Sequence, residues 1–261
     1  MEYTIQNSAL TLTANDLGGL LWGIRKADGQ ELIWGGDPAV WAFRAPVCFP
    51  WCGVIQDDWY EHDGVRHTGT GKHGFVRDFA HKLVDQKADS LTFRFDHDGS
   101  EPWPWTFSFE TVHKVEGSKA YTICTATNTG DKPMPTQMGY HPAFRVPFVP
   151  GSVLSDYVIR LESGVVIDVD EHMFDDGALI RKDAGAWCRL EHKATGKYIQ
   201  VTTKDWFCTV LWAPAGIPGF LCMEPWDGQG GDGHDLMGRP GTFWMQPGET
   251  RTWSLEMDFQ L

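Results

Sequence analysis

Several things are scarce in this 261-residue chain, and each scarcity excludes a class. Positive charge is short: 22 Lys and Arg stand against 35 Asp and Glu, a net charge of −13. A nucleic-acid surface or an anionic membrane surface is therefore a poor match, and neither is expected as a partner. Long apolar runs are missing; none approaches the roughly 18 residues a membrane-crossing helix needs. The opening Met1-Glu2-Tyr3-Thr4-Ile5-Gln6-Asn7 carries neither a basic region nor an apolar stretch, so no secretory leader is expected. Six cysteines are too few for a disulfide scaffold in a chain of this length. They stand singly in apolar surroundings, as in Thr122-Ile123-Cys124 and Phe220-Leu221-Cys222. Reduced, buried thiols in a cytoplasmic protein are the expectation. No stretch of 12 residues keeps a helical period, and no Ser/Gly/Pro linker or shift in composition divides the chain.

Chemical signatures are also missing. There is no G-x-S-x-G elbow, no Walker A loop and no H-E-x-x-H, so serine-hydrolase, phosphate-cradle and zincin chemistry lack their marks. Cys48-x-x-x-Cys52 has no second ligand pair at zinc-like spacing, so no metal is expected there. Gly230-Gly231-Asp232-Gly233-His234-Asp235 is similar to a single calcium-binding nonapeptide of a parallel β-helix. That architecture needs at least three stacked repeats, so the segment reads as a glycine-rich acidic loop.

Breakers and aromatics are abundant. The 29 glycines and 15 prolines make about 17% of the chain, against about 12% in average usage. With 13 Trp, 15 Phe and 6 Tyr, they describe a strand-rich protein with a large core. Period two follows wherever a period can be read. Trp253, Leu255, Met257, Phe259 and Leu261 alternate with polar residues, as a strand covering a core does. Leu10-Thr11-Leu12-Thr13, Leu91 to Phe95, Trp105 to Phe109 and Tyr121 to Thr125 repeat the pattern. Turn signals between them, such as Asp98-Gly99-Ser100 and Pro247-Gly248-Glu249, recur mostly every 8–15 residues. Twelve or more strands in one domain, 1–261, fit the length as two large stacked sheets.

Three segments place ionisable groups at breaks in this pattern: Lys72-His73-Gly74-Phe75, Gly139-Tyr140-His141-Pro142 and Cys222-Met223-Glu224-Pro225-Trp226. Glycine beside His73 and proline after His141 end or kink strands, which leaves these side chains at a rim. Glu224 follows an apolar run, where desolvation raises a carboxyl pKa. Two imidazoles and a carboxylate can move protons near neutral pH. Taken singly, each segment also reads as structural or solvated.

Taken in order, the segments resemble the aldose 1-epimerase (galactose mutarotase-like) family along the whole chain. The resemblance rests on Gly18 to Ile24 with Glu31 to Gly35, Ala45-Pro46-Val47-Cys48-Phe49-Pro50-Trp51-Cys52-Gly53, His73-Gly74-Phe75, Gly139 to Phe144, and Glu224-Pro225-Trp226. It implies an all-β fold, a β-supersandwich of mainly antiparallel stacked sheets, whose cleft binds a pyranose and interconverts its anomers without a cofactor. By that resemblance Glu224 is the general base on the anomeric hydroxyl and His141 the general acid on the ring oxygen. His73 hydrogen-bonds the sugar beside them. Trp51 and Trp226 flank the motifs and are candidate platforms for a sugar's C–H face, with core packing as the competing reading. Many relatives carry Arg after the Gly of the F-P-x-x-G segment; here Val54 stands there, and Arg77 and Arg44 are the candidate replacements. Asp175 or Asp176 is the candidate for a family sugar-binding aspartate. Two alternatives stay open: the same chemistry on a phosphorylated or sulfonated hexose held by Arg44, Lys72 and Arg77, and a non-catalytic carbohydrate-binding module.

Overall fold

The computed structural model describes residues 1–231 and 233–261. Strands dominate, and helix among the described residues is confined to three single-turn 3-10 segments, Gln56–Asp58, Val76–Asp78 and Leu154–Asp156. The largest sheet has nine strands. In spatial order they are Val166–Asp168, Tyr157–Leu161, Trp187–His192, Tyr198–Thr202, Thr250–Gln260, Lys119–Asn128, Thr106–Glu116, Ser90–Asp98 and Lys82–Gln86. Every pairing in it is antiparallel. A second sheet runs Leu179–Arg181, Cys208–Trp212, Phe220–Trp226, Gly139–Tyr140, Val47–Cys48, with Ala143–Arg145 also on the Phe220–Trp226 strand. A three-stranded sheet, Glu2–Gln6, Leu10–Asn15 and Leu20–Lys26, the hairpin Trp59–His62 with Val65–Thr68, and the distant pair Met134–Thr136 with Phe243–Met245 complete the set. This is the expected all-β architecture.

Alternation decides which face packs. Trp253, Leu255, Met257 and Phe259 are buried in one core with Leu10, Leu12, Leu91, Phe93, Phe107 and Phe109, as the sequence pattern expects. One stretch differs. From Tyr121 to Thr125 the side turned fully inward is the smaller one, Thr122 and Cys124, while Tyr121 and Ile123 are half-buried. The reason lies across the ladder: His113, opposite Thr122, is fully buried and bonds Thr122 Oγ1 at 3.1 Å and the Gly19 carbonyl at 2.8 Å. An imidazole needs a small, hydroxylated neighbour, and that outweighs the size of Tyr121. All six cysteines are buried free thiols. Among the described residues no helix is long and apolar enough to cross a membrane.

Candidate active site

The strand Phe220–Trp226 is buried along its whole length, so both its faces have partners. Leu221 and Met223 enter the main core, while Phe220, Cys222, Glu224 and Trp226 line the other face. Next to it, Ala143 pairs with Cys222 and Gly139 with Trp226. The same register carried across the gap sets His141 opposite Glu224. Here the ladder pauses: the His141 N–H turns to the Pro46 carbonyl at 3.0 Å, and Pro142 has no N–H to give. His141 Nε2 and Glu224 Oε2 meet at 3.3 Å, with side chains 7% and 1% exposed. Glu224 therefore lies within the strand rather than at its end.

His73 arrives from another direction. Its N–H donates to Gly53 O at 2.8 Å, and Phe75 N–H donates to Phe49 O at 3.0 Å. Its φ is +66° and that of Gly74 +69°. Position 74 must be glycine, since a Cβ there would lie 1.9 Å from the Phe49 carbonyl oxygen. His73 Nδ1 accepts the Gly53 N–H at 3.0 Å, so a neutral ring carries its proton on Nε2. The ring stands edge-on to His141 and Trp226, with centroids 5.3 and 5.4 Å apart. Trp226 keeps its place because position 139 is glycine: a Cβ would come within 2.7 Å of the indole and 2.9 Å of Cys52 Sγ.

Burial drives the electrostatics. It pushes the Glu224 carboxyl well above the usual carboxylate range, opposed by the Lys72 ammonium. It pulls His141 well below an ordinary imidazole, and the charges of Arg77 and Lys72 act in the same direction. Both groups thus favour their uncharged forms. Both Glu224 oxygens, His141 Nδ1 and Trp226 Nε1 are buried with no hydrogen bond from the described residues. Such atoms are costly unless something polar satisfies them, and here several orphaned groups converge. His141, Cys222 and Glu224 also bring one ligand atom each within 4.8 Å of one another. A tetrahedral soft cation could use that donor set.

Some expected residues join this cluster and others do not. Arg77 comes near it: 8% exposed, it lies 4.4 Å over the Phe43 ring, donates to Lys72 O at 2.5 Å, and its charge reaches His141. Trp51 does not; it is fully buried against Phe75 and Trp103 and offers no face to a ligand. Arg44 is turned elsewhere, its guanidinium 4.1 Å over Trp22 and its Nη1 donating to Trp22 O at 2.8 Å. Ala45 beside it is buried in the core, while Arg44, in the bend ahead of the Val47–Cys48 strand, is held against Trp22. The Asp175 carboxylate is on the surface, engaged with His172 at 3.0 Å. Asp232 of the glycine-rich loop lies outside the described residues.

Other neighbours carry no motif. Trp41 stacks on His141 at 5.0 Å and on Phe220 at 5.4 Å, and Trp212 meets the same imidazole edge-on at 5.6 Å. Both indoles are partly exposed, so they form the wall that Trp51 does not. The density of Trp34, Trp41 and Phe43 just ahead of Ala45-Pro46 was the only signal for them in the sequence. Behind the site, Arg239 is 4% exposed and donates to the carbonyls of Cys52 at 3.2 Å and Val54 at 2.6 Å. Gln137 accepts from Cys52 N–H at 3.1 Å. Val54 itself is 53% exposed.

Comparison with known proteins agrees with this picture. The family model for aldose 1-epimerase matches residues 1–179. The chromosomal LacX protein of Lactococcus lactis subsp. lactis is 28% identical over 263 residues, covering 87% of this chain and 88% of LacX. The structure of a galactose mutarotase related enzyme from Lactobacillus acidophilus superposes with a TM-score of 0.93 at 22% identity, over 100% of this chain and 98% of that one. A galactose mutarotase-like protein from Lactobacillus casei gives a TM-score of 0.88 at 23% identity, over 99% of each chain.

Proposed function

Because the chain belongs to the aldose 1-epimerase family, we propose that it interconverts the α and β anomers of a free pyranose by reversible ring opening. The observation that carries the reading is the pairing of Glu224 with His141 at 3.3 Å in a buried site with unsatisfied polar atoms. Anomer exchange needs a proton taken from the anomeric hydroxyl and one delivered to the ring oxygen, two atoms bonded to the same carbon. At rest the pair holds one proton, on Glu224; with sugar bound it passes across the 3.3 Å contact to His141, so that the Glu224 carboxylate takes the first proton and the His141 imidazolium delivers the second. Reclosure on the other face of the aldehyde returns both protons. Each transfer by a positioned group contributes roughly 10²–10⁴-fold.

The resting electrostatics suit a ligand rich in hydroxyls. A sugar brings donors to the unpaired Glu224 oxygens, and hydrogen bonds to the charged form lower a carboxyl pKa toward ionisation. His73, with its proton on Nε2, is a fixed donor beside the imidazole and holds charge on the ring oxygen. Arg77 contributes positive charge close by, and Trp41 with Trp212 covers the apolar face of the ring. No cofactor takes part in this scheme, and the protein acts as one domain over 1–261 on a small-molecule sugar. The ordinary compartment for such a reaction on free metabolites is the cytoplasm.

The positive charges of Lys72 and Arg77 both reach His141 and favour a second reading, in which the hexose is anionic. Saturation-transfer NMR across a panel of neutral, 6-phosphorylated and sulfonated hexoses tests both. Accelerated exchange of at least one sugar is expected, and spontaneous rates with every sugar would refute the proposal. A protein that binds sugars without accelerating them would instead be a carbohydrate-binding module.

A further inference from the structure

Arg44 leads to a second cavity, of about 380 Å³, that shares no residue with the His141–Glu224 cluster. Its floor is the outer face of the three-stranded sheet. Alternation puts Leu10, Leu12 and Ala14 in the core and turns Thr11 and Thr13 outward, with Thr4 beside Thr13 at 3.4 Å. Over this hydroxyl floor stand Arg44 and Arg145. Arg145 projects from the strand that pairs with Phe220, at the other end of the glutamate strand from Glu224. The Trp34–Phe220–Trp41 stack separates that end from His141.

The two guanidinium groups are only partly used. Arg44 gives Nη1 to Trp22 O, and its Nε is buried with no partner. Arg145 gives Nε to Ile33 O at 3.1 Å. Among the described residues neither forms an ion pair within 4 Å. Arg25, the third arginine of the cavity, is already paired with Glu31 at 2.7 Å. Burial works against the charge on Arg44, the Glu2 and Glu31 carboxylates favour it without forming an ion pair, and the Arg145 charge opposes it. In a protein of net charge −13, the cavity holds three arginines against two glutamates.

We propose that this cavity is a second, non-catalytic site for an anionic polyhydroxy molecule of the sugar-phosphate or sugar-acid class. The anionic group lies between Arg44 and Arg145, and the hydroxyls meet the threonine floor and Glu2. Guanidinium forks match phosphate and carboxylate oxygens, and a volume at the small end of ligand pockets suits one such molecule. Trp22 is capped by Arg44, so stacking plays no part and a neutral sugar gains little here.

Isothermal titration with glucose 6-phosphate, and with gluconate to separate phosphate from carboxylate, tests the site. Saturable binding of at least one is expected, persisting in Glu224→Gln, with neutral glucose much weaker. Arg145→Gln and Arg44→Gln should each weaken it about tenfold or more, since each removes a charge-assisted contact. Both variants should keep wild-type anomer exchange of a neutral sugar, which also shows that they fold. Absence of saturable anion binding would overturn the site. So would binding that survives both substitutions and disappears in Arg77→Gln, which would assign the anion to the catalytic cleft.

Discussion

Substituting Gly74 by alanine separates the placement of His73 from general stability. A Cβ at position 74 would stand 1.9 Å from the Phe49 oxygen and 2.2 Å from its carbonyl carbon. Those are backbone atoms, so the segment itself must move. The φ of +69° adds about 1–2 kcal/mol for any residue with a side chain. Displacement also loosens the Phe75-to-Phe49 and His73-to-Gly53 hydrogen bonds, about 1 kcal/mol each. The expected total is roughly 3–4 kcal/mol. Gly64 supplies the control: its φ is +74°, but a Cβ there meets nothing within 4 Å. Gly64→Ala should cost about 1–2 kcal/mol, from the backbone alone, and leave activity intact. Urea unfolding gives the stabilities, and polarimetry under native conditions gives the rates. Gly74→Ala should also lower kcat/KM, because His73 leaves its position beside His141. Equal stabilities within about 0.5 kcal/mol, with unchanged rates, would refute the reasoning.

Acid sensitivity follows from two buried histidines away from the site. Burial lowers His81 and His113 to about 4. Below the unfolded value of about 6.5 the unfolded chain takes up protons that the folded chain refuses, so stability falls from pH 6.5 toward 4, by up to about 3 kcal/mol per residue. Chemical denaturation at stepped pH should show this slope, and His113→Gln should flatten it; a pH-independent stability would contradict the burial argument. Trp51→Ala should cost about 3–5 kcal/mol as a core truncation. Trp41→Ala should instead raise KM several-fold, from the loss of a platform worth about 1 kcal/mol. The reverse pattern, read by unfolding and by kinetics, would return the platform to Trp51.

The sequence carried the sheet architecture where one face is uniformly apolar, as from Trp253 to Phe259. It misled at Tyr121–Thr125 because His113, nine residues from Thr122, sets which face is admitted. The convergence of His141 and His73 was legible because the proline and glycine beside them break the strand pattern, whereas Glu224 stands inside a continuous strand and was marked by the apolar run ahead of it. Arg44 was misdirected because its partner, the Trp22 ring and carbonyl, lies 22 residues away on the three-stranded sheet and leaves no local mark. Arg239 and Gln137 reach the Cys52–Val54 segment from 187 and 85 residues away, a distance at which no local pattern survives. Trp41 belongs to the same class: its partner His141 is brought to it by the sheet.

The most direct test of the account is the anomer exchange rate of Glu224→Gln beside that of the wild type, measured by saturation transfer on whichever sugar the wild type accelerates most. Glutamine keeps the shape and removes the base, so exchange should fall by roughly 10²–10⁴-fold with the fold intact. A folded Glu224→Gln protein that exchanges anomers at the wild-type rate would contradict the assignment of Glu224 as the group that takes the proton.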